Sequence, residues 1–203
     1  MVTVTYLSHA GFEIRNRRVV LIDPYFVGNS LAPTYSRKPD LILVTHEHFD
    51  HYDKKFISRF TCPVVCPAEV RHKNGVFMKP GETRSFDDLS IRMFRVSHHQ
   101  STCPNGYVLE YEGKCIAHLG DTYLDGVKEV GAIDILLVPI GGHYTMSIDE
   151  ATEALKILKP KLSIPMHFST FPEIKGDPIL FKKKAEKEGF KVEVLKIGGS
   201  ITL

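Results

Sequence analysis

The sequence predicts an α/β (α+β) fold in which two sheets pack face to face with helices outside. Strand-rich stretches, each followed by helices, occur twice along the chain. No linker-like or low-complexity segment interrupts them, so residues 1–203 read as one domain. Residues able to bind a metal fall at strand ends, where such a sandwich brings loops from both halves to one edge.

The first third is rich in strands. Val2–Leu7, Gly11–Ile14 and Val19–Ile22 are short and alternating or apolar, with a turn at Asn16-Arg17-Arg18. Asp23-Pro24 ends the third strand, and 28–39 is a polar loop with two prolines. The β-favouring run Leu41–Val44 predicts a buried strand, followed by a short helix near Asp53–Phe60 and a strand at Pro63–Cys66. Further strands are expected at Leu89–Ser97, Gly106–Tyr111, Cys115–Leu119 and Asp134–Pro139, with turns at Pro104-Asn105-Gly106 and Glu112-Gly113-Lys114. Ser147 and Glu150 form a capping box for a helix through Leu158, stopped by Pro160. After a strand at Leu162–Pro165, Asp177-Pro178 opens a final helix that Gly189 can end. Strands at Lys191–Lys196 and Ser200–Leu203 are expected to close the chain.

Composition excludes several classes of function. A net charge of +2, with 25% charged and 43% apolar residues, is an ordinary globular balance that argues against a nucleic-acid partner. No stretch approaches membrane-spanning length and no signal peptide is evident. Cys62, Cys66, Cys103 and Cys115 form no Cys-x-x-Cys pair and read as reduced thiols of a cytoplasmic protein. A small-molecule substrate is the expected partner, and the sequence is compatible with a monomer or a homo-oligomer.

His46-Glu47-His48-Phe49-Asp50-His51 places four potential metal ligands, His46, His48, Asp50 and His51, in six residues at the end of an apolar strand. Side chains two apart on extended chain point the same way, so His46 and His48 can share one cation. Asp50 and His51, beyond a change of direction, can face a second. A lone His-x-His is weak evidence, because most histidines are surface or satisfied polar groups. Four together at a core edge are not what packing would select. Ser97-His98-His99, Gly120-Asp121 and Pro165-Met166-His167 offer further ligands, each at a strand terminus. His72 and His118 lack a ligand context and read as structural.

These residues, in this order, resemble the metallo-β-lactamase superfamily, a four-layer αββα sandwich with a di-metal site at one edge. The resemblance implies one metal on His46, His48 and His99. It implies a second on Asp50, His51 and His167, with Asp121 bridging and Asp23 orienting a ligand from behind. Ser8–Phe12, Ile22–Pro24, Pro139–Met146 and Pro165–Pro172 look like its UPF0173/UlaG-like branch of metal-dependent hydrolases. That branch usually shows one histidine followed by serines at the third motif. Here His98 and His99 are adjacent, only one can face the metals, and alignment of Ser101 favours His99. His98 then lines the cleft or faces solvent. His9 and His143 sit in branch-like loops and read either as candidates for the substrate oxyanion or as hydrogen-bonded loop histidines.

Two divalent cations about 3.5–4 Å apart share a water and lower its pKa toward ~7, giving hydroxide as the nucleophile. Asp50 is the candidate catalytic group, relaying a proton to the leaving group. The expected reaction is hydrolysis of an ester-type bond, a phosphodiester or a lactone. Zinc is the default metal and manganese the competitor, since the donors are His and Asp without thiolate. The alternative is a non-catalytic metal-binding or regulatory module on the same fold. A di-iron redox protein would carry glutamate at position 48.

Overall fold

Most of the alternating and apolar runs become strands in the computed structural model, which describes Met1 through Leu203. In chain order these are β1 (Thr3–Ser8), β2 (Gly11–Arg15), β3 (Val19–Ile22), β4 (Leu41–Leu43), β5 (Val64–Cys66), β6 (Gly75–Phe77) and β7 (Thr83–Phe86). Then follow β8 (Leu89–Arg95), β9 (Asn105–Tyr111), β10 (Lys114–His118), β11 (Ile135–Pro139), β12 (Leu162–Met166) and β13 (Ser200–Thr202). Three helices complete the fold: α1 (Lys54–Ile57), α2 (Ile148–Leu158) and α3 (Pro178–Lys187). None is long and apolar enough to cross a membrane.

The chain divides into two compact units. The first comprises Met1–Lys79, Ser101–Cys103 and Leu195–Leu203, and the second Pro80–Gln100 and Pro104–Val194. Each owns one mixed sheet, of order β13-β1-β2-β3-β4-β5-β6 in the first and β12-β11-β10-β9-β8-β7 in the second.

Strand direction decides where the functional loops emerge. In the first unit β1 is antiparallel to β2, β2 is antiparallel to β3, and β3 is parallel to β4. β1, β3 and β4 therefore run the same way and deliver His9, Asp23 and His46 to one sheet edge. In the second unit β8 and β9 are antiparallel, as are β9 and β10, while β10, β11 and β12 are parallel. β8, β10, β11 and β12 therefore end together, carrying His98, Asp121, Gly141 and His167. Carboxyl ends of parallel strands are where open α/β sheets place ligands.

Each sheet is held by its own apolar cluster. Leu21, Ile42 and Val64 of the first sheet, with Val44 just past β4, pack with Phe56 and Ile57 of α1. In the second, Leu136 and Val138 of β11 pack with Ala151, Ala154 and Leu155 of α2 and Phe181 of α3. α2 begins with the expected capping box of Ser147 and Glu150 and ends at Lys159, whose φ is +49°. Asp177 caps α3, with Pro178 in its first turn.

Two expectations are corrected. The helix near 53–60 closes after Ile57, because Arg59 and Phe60 donate to residues three back and tighten the last turn. No strand forms over 191–196. Ser163 makes one bridge with Val192, donating to the Lys191 carbonyl at 3.0 Å and accepting from Glu193 at 2.9 Å. The next rung needs an N–H from residue 165, and Pro165 has none. The two short strands β6 and β7 carry weak apolar signals and were not anticipated; β7 is largely exposed.

Candidate metal centre

In the first unit the chain leaves β4 through Val44 and Thr45 into His46. His51 and Tyr52 both donate backbone N–H to the His48 carbonyl, at 3.1 and 2.7 Å, closing a turn that swings His51 back. The His46 ring then lies 4.5 Å from that of His48 and 4.1 Å from that of His51, centroid to centroid. His46 and His51 are buried, whereas His48 and Asp50 are partly exposed. Ligand atoms of His46 and His48 approach within 4.8 Å, as do those of His46 and His51, and of His9, Asp50 and His51.

Asp23 organises this group from behind. Its Oδ1 accepts the Thr45 N–H at 2.8 Å, and its Oδ2 accepts the Thr45 hydroxyl at 2.6 Å and His51 Nδ1–H at 2.8 Å. The Thr45 hydroxyl proton is thereby used, so Thr45 Oγ1, 3.0 Å from His46 Nδ1, must accept the proton on that nitrogen. One buried carboxylate thus fixes the tautomer of two histidines, leaving Nε2 of each as the ring atom that can bind a cation. Asp23 itself stands at φ +43° directly after β3.

Glu47, between the two histidines, serves a different purpose. It accepts from Ser101 Oγ at 2.7 Å, Thr102 N at 2.8 Å, Thr102 Oγ1 at 2.9 Å and Cys103 Sγ at 2.9 Å. Burial pushes its carboxyl up, but donation from Cys103, Thr102 and Ser101 outweighs this and holds it well below the usual carboxylate range. Burial and Glu47 push the Cys103 thiol up to about 12, which keeps it a donor.

The second unit presents its own set. His167 Nε2 lies 3.1 Å from Asp121 Oδ2, and His98 Nε2 lies 3.8 Å from the same oxygen. His98 Nδ1 meets the Tyr144 carbonyl at 3.1 Å; a carbonyl can only accept, so this nitrogen carries the proton. Tyr123 N–H to Ser97 O at 2.8 Å ties the end of β8 to the Asp121 loop. Gly141 must be glycine, since a Cβ there would stand 2.5 Å from the His167 carbonyl oxygen. His118 is structural as expected, accepting the Gly120 N–H at 3.0 Å through Nδ1.

The third motif requires a correction. His98 is buried and faces Asp121, whereas His99 is exposed and stacks on Tyr123 at 5.2 Å. Inward positions are Leu89, Ile91 and Met93 along β8, but Val96 and His98 beyond its end, a slip of one residue after Arg95. Alternation carried past the strand would have put His99 inside. Of the two readings of His9, the structure has the hydrogen-bonded one: it is fully buried and its Nε2 meets Asp50 Oδ2 at 3.2 Å. His143 is exposed, its ring 4.3 Å from that of Tyr144, beside a cavity of about 480 Å³. Thr45 and the Tyr144 carbonyl were missed. A hydroxyl next to the first ligand was a usable signal; a backbone carbonyl leaves none.

The donor set fits a divalent cation. Imidazole and carboxylate suit zinc and its neighbours. Three of the histidines have Nδ1 engaged by Asp23, Thr45 or Tyr144, the outer bonds that metal-binding histidines characteristically make.

The chain is similar to known metal-dependent hydrolases. Residues 3–167 match a family model described as the beta-lactamase superfamily domain. A UPF0173 metal-dependent hydrolase of Thermoplasma volcanium is 40% identical, covering 100% of this chain and 99% of its own. Its counterpart in Pyrococcus furiosus is 36% identical, with 100% of both chains covered. Among solved structures, Igni18, a novel metallo hydrolase from Ignicoccus hospitalis, superposes with a TM-score of 0.89 at 31% identity over 100% of this chain and 98% of that one.

Proposed function

Because this chain belongs to the beta-lactamase superfamily and to its UPF0173 metal-dependent hydrolases, we propose that it hydrolyses an ester-type bond, a phosphodiester or a lactone, in a small substrate. Residues 1–203 act as one catalytic domain in this reading. His46, His48 and His98 would hold one cation; Asp50, His51 and His167 would hold the other, with Asp121 shared. Zinc is the favoured ion and manganese the competitor. Paired divalent cations, when bound, supply hydroxide near neutral pH and polarise the oxygen under attack.

The observation that carries the proposal is the engagement of Nδ1 in His46, His51 and His98. Structural His118 accepts at Nδ1 and so has the opposite tautomer; packing alone gives no reason to place the proton on Nδ1 in all three of these histidines, whereas metal binding through Nε2 does. Asp50 is the group able to hold and move a proton at the reacting centre. His9 Nε2–H donates to its Oδ2, so one carboxylate oxygen is fixed and the group is oriented.

Metal analysis combined with turnover of bis-p-nitrophenyl phosphate, beside a panel of lactones, tests the reading. About two divalent ions per chain are expected, the occupancy of a two-metal site. No metal after reconstitution would sink the site. Bound metal without turnover of any ester would leave a metal-binding module.

A further inference from the structure

Phe49 sits between two of the proposed ligands, and 67% of it is exposed. A lone exposed apolar side chain is ordinary. Two features set this one apart. Its backbone is fixed, because the bonds from His51 and Tyr52 to the His48 carbonyl close the turn around it. Its ring is also seated, in a T-shaped contact with that of Tyr25 at 5.9 Å and 83°. Tyr25 in turn meets the His9 ring at 5.8 Å, and His9 donates to Asp50. A chain of contacts therefore runs from the proposed proton-moving carboxylate to an aromatic surface open to solvent.

The second unit repeats the association of an exposed ring with a ligand. Tyr144, 40% exposed, accepts His98 Nδ1–H through its carbonyl and packs against the His143 ring. The exposed phenylalanine and tyrosine side chains are Phe49, Phe77 and Tyr144, and two of the three are tied directly to a candidate ligand.

We infer that Phe49 is a specificity-determining residue that stacks on an aryl or other flat apolar substituent next to the scissile bond. The substrate class narrows accordingly, from esters in general to those with such a group. This rests on the hydrolase reading for where the scissile bond lies. Tyr25 acts as a positioning residue that presents the Phe49 ring. Aromatic contacts favour edge-on or offset geometry, and Tyr25 already holds the exposed Phe49 ring in one such contact.

The test is calorimetric binding of phenylphosphonate and methylphosphonate to the metal-reconstituted protein, since the two probes share a metal-seeking head and differ only in the substituent. Wild-type protein should bind the phenyl compound about tenfold more tightly, the scale of one good aromatic contact. Phe49→Ala should abolish that preference with metal content unchanged, and Phe49→Tyr should keep it. Equal binding of the probes by wild type, binding of neither, or a preference that survives Phe49→Ala would overturn the inference. A protein that prefers the phenyl probe but cleaves no ester would lose the hydrolase reading and keep Phe49 as an aryl contact. One that cleaves esters without the preference would do the reverse.

Discussion

Asp23 Oδ2 accepts His51 Nδ1–H at 2.8 Å, and through the Thr45 hydroxyl the same oxygen governs His46. All four partners are buried. An asparagine at position 23 has one acceptor oxygen and cannot serve both the Thr45 N–H and the Oδ2 donors. Asp23→Asn should weaken metal binding about 10–100-fold, the usual cost of losing an outer partner of a ligand histidine. Competition against a chelator measures this. Unchanged affinity would mean that Asp23 serves the fold alone.

His98→Ala and His99→Ala separate the two readings of the third motif. His98 faces Asp121 and is anchored by Tyr144, whereas His99 stacks on Tyr123 at the surface. Loss of His98 should lower the metal content from about two ions per chain. His99→Ala should leave it unchanged and cost only a surface stacking contact, about 0.5–1.5 kcal/mol. Elemental analysis of both variants decides it, and the opposite pattern would restore His99.

The candidate ligands were legible because coordination chemistry constrains residue type, and at His46, His48, Asp121 and His167 an apolar residue could not take that role. Each of them, with Asp23, lies at or just beyond a strand end, as the pattern Leu41–Val44 and its counterparts implied. What failed was geometry that depends on single residues. The slip after Arg95 moved His98 inward without any change of composition. Pro165 stopped a ladder that 191–196 otherwise satisfied in pattern. His9 carries no sequence mark that distinguishes a carboxylate partner from a substrate contact.

Gly141 follows β11 by two residues and supports His167 by steric fit. A Cβ would stand 2.5 Å from the His167 carbonyl oxygen, a backbone atom, and 3.1 Å from its Nδ1. Gly141→Ala should therefore cost about 1–3 kcal/mol by overpacking and weaken metal binding at the same time. Gly113→Ala provides the control: it has open space but a φ of +70°, so it should cost backbone strain without touching metal affinity. Denaturant unfolding with and without metal reads both effects.

Asp134, which is in none of the candidate metal-ligand groups, gives the fold a pH dependence of its own. Its Oδ1 accepts from Lys161 Nζ at 2.8 Å and its Oδ2 from the Cys115 N–H at 2.8 Å, fastening the starts of β10 and β12 to β11. The Lys161 bond, with the Cys115 N–H second, holds this carboxyl below the usual carboxylate range. A carboxyl depressed in the folded state adds stability that is complete above its unfolded pKa of about 4 and is lost as pH falls through the folded value. Asp134→Asn should therefore be less stable than wild type at neutral pH, by at most ~1 kcal/mol once solvent screening of the exposed lysine is counted. The gap should shrink below about pH 4 and close in acid. Urea midpoints of the two proteins measured across that range test it, and a gap that is constant or widens in acid would show that the carboxylate charge contributes nothing.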